Sequence, residues 1–187
     1  MRRAAAALAT LVVAAALRDL DGEPGRVDTP VAAAAVLRPA RRLTLVPILR
    51  AGLALLQPAL DLAPEDTRVG YLGMARDEAT LAPVVYLRSL PQDLERDDVL
   101  VLEVMIATGG SAVAALDLVA AAGARSLRLA GLIAAPEGLA RIAAAHPDVP
   151  VTVAAVDERL DERGFIVPGL GDAGDRLYGT ADLPPPS

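Results

Sequence analysis

Two short stretches of this chain combine residue types that can bind anions. Residues 99–119 read "VLVLEVMIATGGSAVAALDLV": an apolar run, then Ala107, Thr108, Gly109, Gly110 and Ser111, then an Ala-rich segment. Two adjacent glycines let backbone approach a ligand closely and adopt positive φ. Thr108 and Ser111 add hydroxyl donors, and a helix starting there would offer free N–H groups and the positive end of its dipole. Such a junction suits phosphate. A lone "TGG" also suits a tight strand-to-helix turn that binds nothing. No Gly-Lys-Ser/Thr follows, and no G-x-G-x-x-G occurs at this junction, so the nucleotide-loop and dinucleotide patterns are both missing here. Glu103 sits just before the loop. A carboxylate beside a phosphate repels it unless the carboxylate serves hydroxyls or a metal. Phosphate together with vicinal hydroxyls describes a ribose 5-phosphate. The second stretch, "LTLVPILRAG" (43–52), ends an apolar run on Arg50, whose guanidinium fork matches phosphate oxygens.

These residues need a scaffold that brings them together. Apolar runs at 43–49, 68–74, 98–104, 127–135 and 149–156 read as strands. Segments 53–62, 110–122 and 136–146 read as helices, the first bent or delayed by Pro58 and the last opened by Pro136. Continuous apolar strands alternating with helices imply an α/β fold with a mainly parallel central sheet covered on both faces. Ligands of such sheets sit at the carboxyl ends of the strands. Arg50, Glu103–Ser111 and Ala134–Glu137 would all fall there. Residues 75–91 alternate charge with Val and Tyr around Pro83, which suggests a mobile hairpin over a site. Residues 26–38 suit a strand or an extended arm after the loop "DGEPG", and 164–180 are loop-rich.

The 187 residues suit one domain, in which 53% of residues are hydrophobic and 2% aromatic, so Val, Leu, Ile and Ala must build the core. There is no Cys, which removes disulfides and thiol chemistry and fits a reducing compartment. All 18 basic residues are Arg, so Arg abundance is a bias of composition rather than a functional signal. The net charge of −6 argues against bulk nucleic-acid binding, which needs a basic face, and leaves room for a local anion site. Residues 1–20 leave two readings open. Arg2, Arg3 and a short apolar run resemble a secretory leader too short to span a bilayer. Leu8, Leu11, Val12 and Ala15 also recur at helical spacing and would suit a first core helix.

"LEVMIATGGSA" resembles the phosphoribosyl-diphosphate loop of type I phosphoribosyltransferases. "LVPILRAG", "AAPEGL", "AHPDV" and above all "GFIVPGLGDAGDRLYGT" (164–180) are similar to the uracil phosphoribosyltransferase family. The resemblance runs from about residue 3 to residue 180 and makes Arg2–Leu20 the first core helix. It implies a single domain over 1–187 with a dimer arm at 26–42, a hairpin at 73–91 and a base-binding hood at 157–180. It implies transfer of a phosphoribosyl group from phosphoribosyl diphosphate to uracil, giving UMP and diphosphate. Mg²⁺ would be carried by the diphosphate with no direct protein ligand. By position, Arg50 and Arg76 would bind the diphosphate, and Glu103 the ribose hydroxyls. Val104, Met105, Ile106, Ala107, Thr108, Gly109, Gly110 and Ser111 would form the phosphoribosyl loop. Ile166, Gly171, Asp172 and Ala173 would read uracil, with Asp172 also ordering the metal–diphosphate or the nearby loop. The catalytic set so implied is Arg50, Arg76 and Asp172. A cytoplasmic homodimer in pyrimidine salvage, a nucleotide effector such as GTP, and no membrane or nucleic-acid partner complete the expectation. His146, the only histidine, reads as a structural helix-end residue.

The chain departs from the family pattern in places. Glu103-Val104 replaces Asp-Pro, Ala75 replaces a Tyr, Ala14-Ala15 replaces a Tyr-Glu pair, and Phe165 replaces a Tyr. The family's N-terminal stretch rich in His, Lys and Arg has no counterpart here. That points to a misassigned start, a truncation or a divergent paralogue. A non-catalytic relative that keeps the ligand site as a regulator is therefore the alternative reading.

Overall fold

The computed structural model describes residues 1–76 and 83–180, except the side chain of Arg76. The chain opens with α1 (Arg2–Leu17), then a hairpin of β1 (Gly22–Asp28) and β2 (Ala33–Pro39). The sheet begins with β3 (Arg42–Leu49), followed by α2 (Leu53–Leu60), β4 (Arg68–Val69), β5 (Tyr71–Arg76) and β6 (Pro83–Ser89). Then come β7 (Asp97–Ile106), α3 (Gly110–Ala121), β8 (Ser126–Ala134), α4 (Pro136–Ala145) and β9 (Val151–Val156). A small pair, β10 (Arg159–Leu160) and β11 (Ile166–Val167), and a short α5 (Ala173–Tyr178) end the described chain.

The main sheet runs in the order β6-β5-β3-β7-β8-β9, with β4 also on β3. All its pairings are parallel except β5 with β6. From β3 the chain builds outward to β5 on one side, then returns to place β7 on the other. The order therefore reverses between β3 and β7. The loops leaving their carboxyl ends diverge there and open a crevice. Arg50 follows β3, and the Ala107–Ser111 loop follows β7, so both stand at this switch point.

Side-chain alternation divides the sheet between two cores. Leu43, Leu45, Leu100, Leu102 and Val104 pack with α1 and α2, and Leu177 of α5 joins them. Val46, Val99 and Val101 face the other way, with Ala112, Ala115, Leu116 and Val119 of α3 and Ile142 of α4. Opposite the switch point, buried Asp97 ties three elements at the amino ends of the strands. It accepts Arg42 Nε and Nη2 at 3.2 Å each and Arg68 Nε at 3.1 Å, and also bonds to Thr44. Burial opposes its ionisation, but the bonds from Thr44, Arg68 and Arg42 outweigh that and hold the carboxyl below its usual value.

Several expectations need revision. On α1 the buried stripe is Ala5, Ala9, Val12, Val13 and Ala16, while Leu8 and Leu11 are exposed. Small side chains let the helix lie close to α2 and the sheet, and residues 2–17 are thereby integral to the core. The "DGEPG" loop is largely strand: Gly22 pairs with Pro39 and Pro24 with Leu37. Pro is tolerated because β1 has a free edge on which no donor is required. The strand expected at 68–74 is broken at Gly70, whose N–H bonds to Leu45 O at 2.9 Å between β4 and β5. The loop-rich 164–180 segment holds β11 and α5. The hairpin expected at 73–91 is the antiparallel pair β5–β6, and its 77–82 part lies outside the described residues. His146 ends α4, as expected, with Nε2 3.0 Å from Asp117 Oδ1 of α3. No helix among the described residues is long and apolar enough to cross a membrane.

Candidate functional site

The Ala107–Ser111 loop is shaped by glycine. Gly109 takes φ 74° and forms the N-cap of α3 without a side-chain cap. The first bond back to the loop is Val113 N–H to Gly109 O at 2.9 Å. The amides of Gly110, Ser111 and Ala112 therefore project from the helix start, with the Thr108 and Ser111 hydroxyls beside them. A Cβ on Gly109 would stand 2.7 Å from Gly138 O, and one on Gly138 would stand 2.3 Å from Ala107 O. The first turn of α4 is thus seated directly against the loop.

Glu103 belongs to the row of β7 that faces α3 and the loop, following Val99 and Val101. It is 8% exposed, and its Oε1 accepts the N–H of Val104 at 3.2 Å. Burial pushes its carboxyl from 4.5 up to about 8, against the pull of the Val104 and Met105 amides. Burial thus favours the neutral form of this carboxyl. A small cleft joins Glu103 to the Ala107–Ala112 loop.

Arg50 follows β3 across a cis Leu49–Arg50 peptide bond. Its guanidinium reaches Asp175 Oδ1 at 3.4 Å and Thr180 Oγ1 at 3.3 Å, linking the β3 end to α5. Gly52 makes this turn feasible, since a Cβ there would lie 2.5 Å from Leu102 O. Tyr178 is near enough to sense the Arg50 charge, although burial pushes its hydroxyl up. Arg76 ends β5; its side chain lies outside the described residues.

The 157–180 segment is held by its own hydrogen bonds. Asp161 Oδ1 accepts the N–H groups of Arg163 at 2.9 Å and Phe165 at 2.8 Å. Asp157 Oδ2 accepts Gly169 N–H at 2.9 Å. Asp172 caps α5 by accepting Asp175 N–H at 2.9 Å, so its carboxylate orders the loop. Gly171 takes φ 68°.

These pieces enclose a cavity of about 320 Å³. Ala51, Met105, Ala107, Phe165, Ile166 and Gly171–Gly174 are among the residues that line it. Apolar walls with backbone polar groups at one edge suit a small planar heterocycle. A larger cavity, about 490 Å³, lies between Leu17, Leu37, Leu43 and Leu62. It is at the root of the β1–β2 hairpin, away from the carboxyl ends of the sheet.

The structure therefore brings Glu103 and Met105–Ser111 to one cleft and Ile166 and Gly171–Ala173 to the adjoining cavity, with Arg50 next to Ala51 at its side; Val104, expected in the loop set, is instead buried against α1 and α2 because alternation along β7 turns it to the other face. Sequence reasoning did not single out Asp175 and Thr180 as partners of Arg50, nor Gly52 and Gly138 as points of backbone contact. A glycine inside the first turn of a helix, as in "APEG", is the signal that could have revealed Gly138.

Comparison with known proteins agrees with this architecture. The family model described as uracil phosphoribosyltransferase matches residues 1–180. A uracil phosphoribosyltransferase of Symbiobacterium thermophilum is 52% identical over 174 residues, covering 92% of this chain and 83% of the relative. One from Thermus thermophilus is 49% identical over 180 residues, covering 96% and 86%. The structure of the AQ2163 protein from Aquifex aeolicus superposes with a TM-score of 0.91 at 38% identity, covering 97% of this chain and 87% of that one. A hypoxanthine phosphoribosyltransferase from Staphylococcus aureus shares the fold alone, with a TM-score of 0.55 at 12% identity over 83% of this chain and 74% of that one. The chain belongs to the uracil phosphoribosyltransferase family.

Proposed function

We propose that this protein transfers the phosphoribosyl group of 5-phosphoribosyl 1-diphosphate to uracil, forming UMP and diphosphate in cytoplasmic pyrimidine salvage. The observation that carries this reading is the single crevice in which the Ala107–Ser111 loop, Arg50 and the 164–174 base cavity meet. Uracil lies in the cavity, where Ile166 and Phe165 cover its ring and the Gly171–Ala173 backbone meets its polar edge. The 5-phosphate rests on the amides and hydroxyls of Ala107–Ser111. Glu103 takes the ribose hydroxyls.

In the reaction the N1–C1 bond forms, the C1–oxygen bond to diphosphate breaks, and N1 loses its proton. Diphosphate leaves with the bonding electrons, and the ribosyl carbon passes through oxocarbenium character. Little covalent chemistry falls to the protein. It orients the two ligands, excludes water and neutralises the leaving group. Arg50 leaves Asp175 and Thr180 to meet the diphosphate, and Arg76 is the second arginine assigned to that group. Mg²⁺, when bound, adds positive charge to the diphosphate. The donor set fits a metal carried by the ligand, because Asp172 is engaged as a helix cap and Asp175 faces Arg50.

Among the described residues the β1–β2 hairpin pairs only with itself, and it exposes Leu37, at 74%, and Val31, at 94%. Those side chains, with Leu8 and Leu11 of α1, support a homodimer. Titrating GTP into the assay tests for a nucleotide effector. The test of the whole reading is UMP formation from uracil, phosphoribosyl diphosphate and Mg²⁺, with cytosine and hypoxanthine as controls. Turnover restricted to uracil and lost in Arg50→Ala supports it.

The burial of Glu103, which pushes its carboxyl up, favours a second reading, a relative that binds the ligands without turnover. Ligand-induced stabilisation without UMP formation would select it, and a gain of activity in Glu103→Asp would trace the defect to carboxylate geometry.

A further inference from the structure

The loop that would receive the 5-phosphate contains no cation. Ala107, Thr108, Gly109, Gly110 and Ser111 offer amides and hydroxyls only. A dianionic phosphomonoester held there gains from a positive charge brought by another element. One such charge stands beside the loop. The missing side chain of Gly110 leaves a gap in which Arg141 Nη1 lies 3.4 Å, and Thr108 Oγ1 3.6 Å, from where a Cβ would stand. Pro83 Cδ of β6 bounds the same gap at 3.7 Å. A guanidinium and a hydroxyl, both able to donate to an anion, thus converge over the first residue of α3.

The mounting of Arg141 is firm. It lies one helical turn beyond Gly138, the residue pressed on the Ala107 carbonyl, and so on the loop-facing side of α4. Next to it, Ile142 is buried in the core. Glu137 anchors the start of the same helix by accepting Leu160 N–H at 3.0 Å. Arg141 itself is exposed, and no ion pair holds it among the described residues.

We infer that Arg141 binds the phosphomonoester end of the ribosyl ligand, supplying the charge that the loop lacks. The inference rests on the proposed phosphoribosyl transfer. The 5-phosphate does not change charge during the reaction, so the contact strengthens ground state and transition state alike. Its loss raises KM and leaves kcat in place.

The test compares wild type, Arg141→Gln and Arg141→Lys. Calorimetry measures UMP and uridine binding, and steady-state assays give kcat and KM. In Arg141→Gln, KM for phosphoribosyl diphosphate and Kd for UMP rise about tenfold, kcat stays within about twofold, and Arg141→Lys recovers part of the loss. Uridine, which lacks the phosphate, binds wild type and Arg141→Gln equally. UMP affinity unchanged in Arg141→Gln overturns the inference and leaves the proposed function standing. Equal weakening of UMP and uridine, or a fall in kcat with KM unchanged, also overturns it, because the residue then acts through structure. Wild type that binds neither UMP nor phosphoribosyl diphosphate overturns the proposed function, and the inference with it.

Discussion

Glu103→Gln should abolish a pH dependence of stability that the buried carboxyl imposes on the wild type. The side chain is 8% exposed, and burial pushes its carboxyl from 4.5 to about 8. The native protein therefore keeps a proton that the unfolded chain releases between those two values. The linked stability is fully present below the unfolded value, is lost as pH rises toward about 8, and is level above it. At about 1.4 kcal/mol per pH unit, the interval corresponds to a loss on the order of 5 kcal/mol. Local relaxation and water entry reduce this to roughly 2–4 kcal/mol. Glutamine is nearly isosteric and stays neutral, and its carbonyl can accept the Val104 N–H in place of Oε1. The assay is urea unfolding of both proteins at pH 5.5, 6.5, 7.5 and 8.5. Other titrating groups are common to both, so the difference between the curves isolates residue 103. Parallel curves would refute the reasoning, as would a wild type that gains on the glutamine variant as pH rises.

Further outcomes follow from other contacts. Asp97→Asn breaks the junction with Arg42, Arg68 and Thr44 and should cost about 3–5 kcal/mol in denaturant unfolding at pH 7. Because the Asp97 carboxyl is held below its usual value, that difference should shrink as pH falls below about 4. Gly138→Ala would place a methyl 2.3 Å from Ala107 O. It should displace the phosphoribosyl loop and lower kcat/KM by about 10²-fold or more, read beside the melting temperature. Asp172→Ala removes the α5 cap and should cost about 1 kcal/mol of stability, with weaker uracil binding in calorimetry. Leu37→Asp on the exposed hairpin should shift a dimer toward monomer in light scattering, with the secondary structure unchanged.

Much of the site was legible because its residues act through local backbone. The apolar run ending in Ala107–Ser111 announces a strand, a glycine turn and a helix start whatever surrounds it. "VPILRAG" likewise places Arg50 just beyond a buried strand. The edges of the elements were less legible. "DGEPG" carries loop composition yet forms strand, because the free edge of a two-stranded hairpin makes no demand on Pro24. On α1 the larger Leu8 and Leu11 advertise a buried face, yet of the expected stripe only Val12 is buried, with Ala5, Ala9, Val13 and Ala16, since close approach to α2 and the sheet favours smaller side chains.

The sequence by itself determined the alternation of strand and helix, the parallel sheet that follows from it, and the residue types offered at each strand end. Those properties are set within a few residues, by periodicity, glycine and proline. Only the tertiary structure decided which strand ends adjoin, and so that Arg50 and the Ala107–Ser111 loop share one crevice. It alone decided that Arg50 rests on Asp175, that Gly138 must be bare because Ala107 lies against it, and that burial pushes the Glu103 carboxyl up. Each depends on elements distant in the chain, and desolvation and steric contact exist only once those elements have packed.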